Sequence, residues 1–163
     1  MKQAKLRKLG RFGCFLTAVV LAACLAATAW AQEGIGVRAG VGVDPDEFYF
    51  GGHVVAGPVV DRVWFRPNVE VGLGSNHSTV ALNGEFAYWL PVPRRDSNVY
   101  FGAGPAMNIL TRGPSRARDT SVGPGFNFLV GLAQRRGWFA EIKVGALDSP
   151  IFKFGVGYTF PMR

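Results

Sequence analysis

The stretch IFKFGVGYTF, residues 151–160, alternates between two kinds of side chain over ten positions. Successive side chains of a β-strand point to opposite faces, so this run predicts a strand with two different faces. One face is wholly apolar and ends in aromatic residues, whereas the other is mostly small and carries Lys153. If most of the chain repeats this pattern, the fold is a β-barrel whose outer wall contacts lipid.

Seven further runs repeat the alternation, at residues 34–43, 48–57, 63–74, 80–90, 99–110, 122–133 and 138–147. In each run one face is nearly free of hydrogen-bonding side chains, and the other face carries nearly all of the charge. Each run is about 10 residues long, which is the length that a tilted strand needs to cross a bilayer. An even number of antiparallel strands can close without a free edge, as lipid requires. The sequence therefore predicts an all-β, eight-stranded antiparallel up-and-down transmembrane barrel.

The first 31 residues differ from the rest of the chain. A basic start is followed by an apolar run at 12–29 and by the tripeptide AWA at 29–31, which is the layout of a secretory signal peptide. We predict cleavage after Ala31, so that 1–31 is a signal peptide and 32–163 is the barrel domain. A single membrane anchor fits less well because the apolar run is short and ends at a cleavage-type site.

A second cleavage site competes with the first. Residues 21–24, LAAC, resemble the lipobox of bacterial lipoproteins, in which the cysteine is lipidated. The chain stays apolar beyond Cys24, which suits the continuing core of a signal peptide. Signal-peptidase and lipoprotein cleavage both stay open.

The net charge of +7 belongs largely to the signal peptide. Five of the 18 lysines and arginines lie there, which leaves 13 basic against 11 acidic residues and a net charge of +2. We therefore expect no nucleic-acid partner. Both cysteines, Cys14 and Cys24, also lie in this segment, so the exported domain has no disulfides and depends on packing and hydrogen bonding.

The inward face of the predicted barrel carries charged and polar side chains. An eight-stranded barrel has room for side chains and little else, and an isolated buried ion is very costly. We therefore predict a structural plug of salt bridges, with a narrow gated pore or proton path as the alternative. The predicted lumen charge network comprises Arg38, His53, Arg66, Glu70, Glu85, Glu141, Lys143 and Lys153.

Aromatic residues cluster at strand ends that share one rim if the N-terminus is periplasmic. Tryptophan and tyrosine favour the membrane–water interface, so this placement predicts an interfacial girdle. Its members are Trp64, Tyr88, Trp89, Tyr100, Trp138, Tyr158 and Phe160.

On these patterns the mature chain resembles the small eight-stranded outer-membrane barrels of the OmpA, OmpX and opacity-protein type. The resemblance covers essentially all of the mature chain and rests on alternation, since these barrels have no short motif. Tyr158 and Phe160 resemble the family's C-terminal assembly signal, although residues 161–163 follow here. The resemblance implies a porin-like, monomeric protein of the Gram-negative cell envelope, located in the outer membrane. Its partners would be outer-membrane lipid, lipopolysaccharide and the barrel-assembly machinery.

An enzymatic function is disfavoured by geometry. Some outer-membrane lipid A deacylases are eight-stranded barrels that use His, Ser and Glu, and this chain has His77, Ser78 and Glu85. Adjacent residues of a strand point to opposite faces, whereas that family spaces its His and Ser two positions apart. We therefore expect no catalytic residues, no metal and no cofactor, and we interpret 75–79 as a solvated loop.

The longest predicted loop, at 111–121, carries three arginines with one acidic residue, Asp119. At the outer surface such a loop would contact lipopolysaccharide phosphates, and a merely solvated basic loop is the equal alternative. The candidate contacts are Arg112, Arg116 and Arg118.

Together these observations predict an outer-membrane barrel with a filled polar lumen and a structural or surface-interaction role. The alternative is a soluble periplasmic lipocalin-like barrel that binds a small apolar ligand inside. Its polar face would have to form the soluble exterior, and here that face is rich in glycine and too thinly charged. A narrow pore or a lipid-modifying enzyme is less favoured.

Overall fold

A computed structural model of the chain describes residues 32–90, 96–113 and 119–162. Hydrogen bonds join neighbouring strands in chain order, and the first strand also pairs with the last, so the sheet closes into an antiparallel barrel. No helix within these ranges is long and apolar enough to cross a membrane. The strands are β1 (Gln32–Val43), β2 (Glu47–Val60), β3 (Val63–Gly74), β4 (His77–Trp89), β5 (Ser97–Arg112), β6 (Asp119–Gln134), β7 (Trp138–Leu147) and β8 (Phe152–Pro161).

The seam of the barrel is the pairing of β1 with β8. Its register runs without a shift from Gly34 opposite Pro161 to Val43 opposite Phe152. The predicted closure of the barrel is therefore confirmed. Because the number of strands is even, β1 begins and β8 ends at the same end of the barrel, which we call the termini end.

The two faces of the wall differ as the alternation predicts. Apolar side chains on the outward face are exposed, with Val37 at 55%, Phe128 at 55% and Val156 at 46% of their accessible surface. Charged and amide side chains are buried inside the barrel, including Glu85, which has no exposed surface. The buried interior of this protein is thus largely polar, the reverse of a water-soluble domain.

Several strands extend further than their side chains suggest. β4 begins at His77, inside the predicted solvated loop, so that prediction is wrong for 77–79. The predicted loop at 111–121 is also shorter, because Arg112 ends β5 opposite Asp119, the first residue of β6. Backbone hydrogen bonds continue each strand pairing beyond the residues whose outward side chains are apolar. Polar side chains at these strand ends do not interrupt the pairing.

The prolines at positions 67, 105 and 124 lie within strands, and each pairs on one side. Pro67 is opposite Gly84 in β4 and Pro105 is opposite Phe126 in β6, while the registers on their other sides skip them. Pro124 likewise pairs with β5, and the pairing of β6 with β7 stops just after it. A proline has no N–H to donate, so each one interrupts a single ladder without ending its strand.

Candidate functional site in the barrel lumen

The described part of the lumen contains four basic and four acidic side chains, all at most 5% exposed. Because the two signs balance, the buried charges are able to compensate one another, which is the condition for tolerating ions away from water. We call this group the lumen network; its members are Arg38, Arg66, Lys143, Lys153, Glu47, Glu70, Glu85 and Glu141.

The centre of the lumen network joins opposite walls of the barrel. Lys143 Nζ donates to Glu85 Oε1 at 2.6 Å and to Glu70 Oε1 at 2.8 Å. Arg38 Nη1 donates to Glu141 Oε1 at 2.7 Å and to Glu70 Oε1 at 3.3 Å. These charge-assisted contacts link β1, β3, β4 and β7 across the interior, so they hold the wall together as well as neutralise charge.

One member of the network, Glu47, is not among the lumen residues predicted from the sequence. The acidic run 44–47 reads as a turn, but Glu47 opens β2 and is 5% exposed. Its Oε1 lies 3.2 Å from Lys153 Nζ, which also donates to Glu70 Oε2 at 3.1 Å and lies 4.6 Å from the centre of the Tyr49 ring. The alternation of β2 did contain a signal, since Glu47 falls on the same set of alternate, inward-facing positions as Tyr49 and His53.

A chain of amide side chains extends the network. Asn68 Nδ2 donates to Glu85 Oε2 at 2.9 Å, and Asn83 Nδ2 donates to Asn68 Oδ1 at 2.7 Å. Asn127 Nδ2 then donates to Asn83 Oδ1 at 2.9 Å. Buried amides need such partners because an unsatisfied polar group is costly. The sequence places these asparagines on the inward face without indicating that they connect.

At the termini end, aromatic rings flank the remaining cation. The Arg66 guanidinium lies 4.7 Å from the centre of the Tyr100 ring and 5.3 Å from that of Phe139. Arg66 Nη1 is 3.4 Å from Glu141 Oε2, and Tyr100 donates its hydroxyl to the same oxygen at 2.9 Å. His53 is buried nearby, where its Nε2 is 2.9 Å from Thr159 Oγ1; it is outside the ion pairs of the network.

The predicted aromatic girdle gathers at the termini end but divides between the two faces. Trp138 and Phe160 are exposed on the outer wall, and the Tyr158 ring lies 5.1 and 4.8 Å from their rings. Tyr100, in contrast, has no exposed surface and its ring lies 5.0 Å from that of Trp89. Tyr100 therefore belongs to the interior, because it occupies one of the alternate positions of β5 that face the lumen.

The rest of the predicted girdle follows the same division. Tyr88 packs against Phe101 at 5.3 Å between ring centres, and Phe101 is 48% exposed. Trp64 packs edge-on against Trp89 at 6.0 Å. Aromatic side chains thus both surround and line this end of the barrel.

A cavity of about 170 Å³ opens at the termini end, and we call it the mouth cavity. Trp89, Tyr100 and Phe139 supply aromatic walls, and Arg66 and Arg135 supply positive charge. Its remaining lining residues are Val55, Ala133, Gln134, Gly137 and Thr159.

The opposite end holds the other predicted surface residues. Arg112 is exposed at the end of β5, directly opposite Asp119 on one side and His77 on the other. Arg116 and Arg118 lie outside the described residues. His77 Nε2 is 3.9 Å from Glu47 Oε2. Among the described residues, no group of three or more His, Cys, Asp or Glu side chains is placed to hold a metal ion.

The closed sheet, the apolar outer wall and the charged interior define an eight-stranded β-barrel of the small, filled class. No protein-family model and no curated protein matches the sequence.

The fold is also found among solved structures. The N-terminal β-barrel domain of Pseudomonas aeruginosa OprF matches 79% of this chain and 98% of its own, with a TM-score of 0.59 and 17% identity. Neisserial surface protein A (NspA) matches 80% of this chain and 95% of its own, with a TM-score of 0.54 and 10% identity. The resemblance to small eight-stranded barrels is therefore confirmed at the level of the fold.

Proposed function

We propose that this protein is a bacterial outer-membrane β-barrel with a filled lumen and a structural or surface-interaction role. The observation that carries the proposal is the inversion of the two faces: Phe154 and Ile142 are each 44% exposed outside, while Glu70 and Glu141 are buried inside. An outer wall of large apolar side chains is unfavourable in water and favourable in lipid.

The dimensions of the wall support a transmembrane position. The strands contain 10 to 16 residues. A tilted strand needs about 9 to 11 residues to cross the hydrocarbon core, so even the shorter strands suffice. The outward pair Trp138 and Tyr158 would then lie at one membrane–water interface, where amphipathic rings are favoured.

The filled lumen favours a structural role over conduction. The lumen network spans the interior through contacts such as Arg38 to Glu141 and Lys143 to Glu85. A conducting path would require these buried pairs to separate, which would leave each buried charge without its partner. A lipocalin-like ligand site is not supported either, because the inward face is charged where such a protein would be apolar.

Export completes the proposal. Residues 1–31 would be removed as a signal peptide, and the termini end would face the periplasm. Tyr158 and Phe160 of β8 would serve the barrel-assembly machinery, and the protein would be a monomer. Arg112, Arg116 and Arg118 would then lie at the outer surface, near lipopolysaccharide phosphates. Asp119 opposite Arg112 offsets part of that charge.

Cell fractionation followed by gel electrophoresis tests this function. We expect the expressed protein in the outer-membrane fraction, with faster migration in unboiled than in boiled samples because the closed barrel resists detergent. Mass spectrometry of the mature N-terminus should give Gln32 as the first residue. Recovery of the protein in the soluble periplasm would refute the membrane assignment.

A further inference from the structure

We propose that the first residues of β6, 119–123, bind an extended polypeptide segment of a partner protein by β-strand addition. We call these residues the β6 edge; they lie at the end of the barrel opposite the termini end. The proposal names a class of partner for the surface-interaction role proposed above. It depends on that role only for the location of this end outside the cell.

The β6 edge exists because β6 extends further than its neighbour β7. β6 pairs with β5 along its whole length, up to Arg112 opposite Asp119. Its pairing with β7 begins only at Gly125 opposite Leu147, the residue that ends β7. Within the described ranges, no strand therefore pairs with the β6 edge on its β7 side, although the barrel itself is closed.

Thr120 and Val122 direct their backbone N–H and C=O groups to this open side. The orientation follows from Pro124, whose carbonyl oxygen accepts a hydrogen bond of 3.1 Å from Asp148 N on the β7 side. Alternate residues of an antiparallel strand direct their backbone groups to the same neighbour, so Thr120 and Val122 face the same way as Pro124. Two donors and two acceptors are thus available to an added strand, which binds through main-chain hydrogen bonds.

The β6 edge is held in its extended form by β5. The register of the two strands has no shift, and Thr111 Oγ1 lies 3.3 Å from Thr120 Oγ1. A rigid, open strand edge is a template for pairing with another chain, and it loses little conformational freedom when a partner binds.

Apolar side chains beside the β6 edge indicate part of the partner's chemistry. Val122 is 61% exposed, and Leu147, next to the end of the edge, is 77% exposed. The latter is the highest value among the large apolar side chains of the described residues. Valine or another β-branched residue on the added strand would cover Val122 as a cross-strand neighbour.

Asp148 indicates the charge of the partner. Its carboxylate is exposed and lies against the inner face of Gly123, where an added Cβ would collide with Asp148 Oδ2. Asp119, at the other end of the edge, already has Arg112 opposite it. A partner residue opposite Gly123 would place its side chain beside the Asp148 carboxylate, so a lysine or arginine is complementary there.

The test uses ¹⁵N-labelled protein in detergent micelles and the peptide acetyl-Lys-Val-Thr-Val-Thr-amide. In antiparallel alignment its lysine is opposite Gly123 and its valines are opposite Val122 and Thr120. We expect saturable shifts of the Thr120 and Val122 amide signals, with hydrogen exchange of both amides slowed at least about tenfold at saturation. The Ser121 and Gly123 amides point to β5 and should exchange slowly with and without peptide.

Two N-methylated peptides provide the matched control. Methylation of both valine nitrogens removes the donors that face the β6 edge and should weaken binding at least about tenfold. Methylation of both threonine nitrogens changes donors that face away from the edge, so binding should stay within about twofold of the parent peptide.

Variants of the protein test the same contacts from the other side. Val122→Pro removes one N–H of the β6 edge and leaves the pairing with β5, since Pro124 already occupies an equivalent alternate position of this strand. It should weaken binding at least about fivefold. Asp148→Asn should weaken binding about two- to fivefold, and Asp46→Asn, at an exposed position of the β1–β2 turn, should leave it unchanged.

Three outcomes would overturn the proposal: slow exchange of Thr120 and Val122 in the free protein, no saturable shift of their signals, or unchanged binding of the valine-methylated peptide. The methylated peptides leave the protein unaltered, so their comparison does not depend on the folding of a variant. None of these outcomes depends on where the barrel resides, whereas the membrane assignment is tested separately by cell fractionation.

Discussion

Lys143 Nζ lies 2.6 Å from Glu85 Oε1, and this contact joins β7 to β4 across the lumen. The two residues are 58 positions apart in sequence. Lys143 is also within 2.8 Å of Glu70 and 3.6 Å of Glu141, so one ammonium group serves three carboxylates. Arg38 reaches the same three carboxylates at 2.7 to 3.8 Å, so the compensation of this buried negative charge depends on both cations.

Lys143→Met should destabilise the barrel by about 3 to 5 kcal/mol, because it removes one partner from buried charge pairs and leaves the carboxylates uncompensated. The free energy of unfolding in urea, measured in detergent or lipid, gives the effect. Arg136→Gln removes an exposed positive charge and serves as the control, with an expected change within about 0.5 kcal/mol.

Adding Glu85→Gln to Lys143→Met should recover about 1 to 3 kcal/mol, since the double variant restores the balance of buried charge. Three cations and three carboxylates of the lumen network then remain. Strictly additive losses in the double variant would show that the two groups do not interact, contrary to the observed contact.

Gly131→Ala should destabilise the barrel by about 1 to 3 kcal/mol through overpacking. Gly131 is opposite Tyr100 in the β5–β6 register, and a Cβ at position 131 would collide with the Tyr100 ring. The change would displace the ring that contacts Arg66 and the hydroxyl that donates to Glu141. Thermal unfolding measured by circular dichroism gives the effect.

Gly52→Ala is the matched control for that substitution. Gly52 is exposed, and the nearest atom to a Cβ there is the Gly36 carbonyl oxygen at 3.6 Å, an ordinary contact. We expect a change within about 0.5 kcal/mol. Equal effects at Gly52 and Gly131 would mean that strand propensity, and not the Tyr100 contact, determines the cost.

The wild-type protein should give no steady, large openings in planar bilayers. The lumen network fills the cross-section with hydrogen-bonded charge pairs, of which Lys143–Glu85 and Arg38–Glu141 are the shortest. Current recordings in potassium chloride, with a known porin as the positive control for insertion, provide the measurement. Steady openings of porin-like conductance would contradict a filled lumen.

The period-2 pattern is sufficient to predict the barrel because one wall must contact apolar surroundings along every strand. It assigned Val37 and Phe154 to the outside and Arg38 and Lys153 to the inside, and the structure places them so. It even indicated the closing pair of strands, since a barrel without a free edge has to join its first and last strands.

The alternation pattern fails where polar residues belong to a strand whose backbone is still paired. Glu47, His77 and Arg112 are polar residues in strands, and local composition gave them to turns and loops. The ion-pair partners also could not be predicted from the sequence. The alternation places Glu85 inside, but only the stagger of the closed sheet makes Lys143 its nearest cation, with Arg38 at 3.8 Å. The mouth cavity was missed because its lining comes from seven strands and a turn.

An arginine on the outer wall should have a cost that depends on depth, and β6 offers a matched pair of positions. Phe128 lies near the middle of β6 and is 55% exposed, whereas Val122 lies near its start and is 61% exposed. If the barrel spans a bilayer, Phe128→Arg should destabilise it by about 2 to 4 kcal/mol and Val122→Arg by about 0 to 1 kcal/mol. Urea unfolding in phospholipid vesicles measures both. In a water-soluble barrel both guanidinium groups would be hydrated, so equal and small effects would place this outer wall in water and not in lipid.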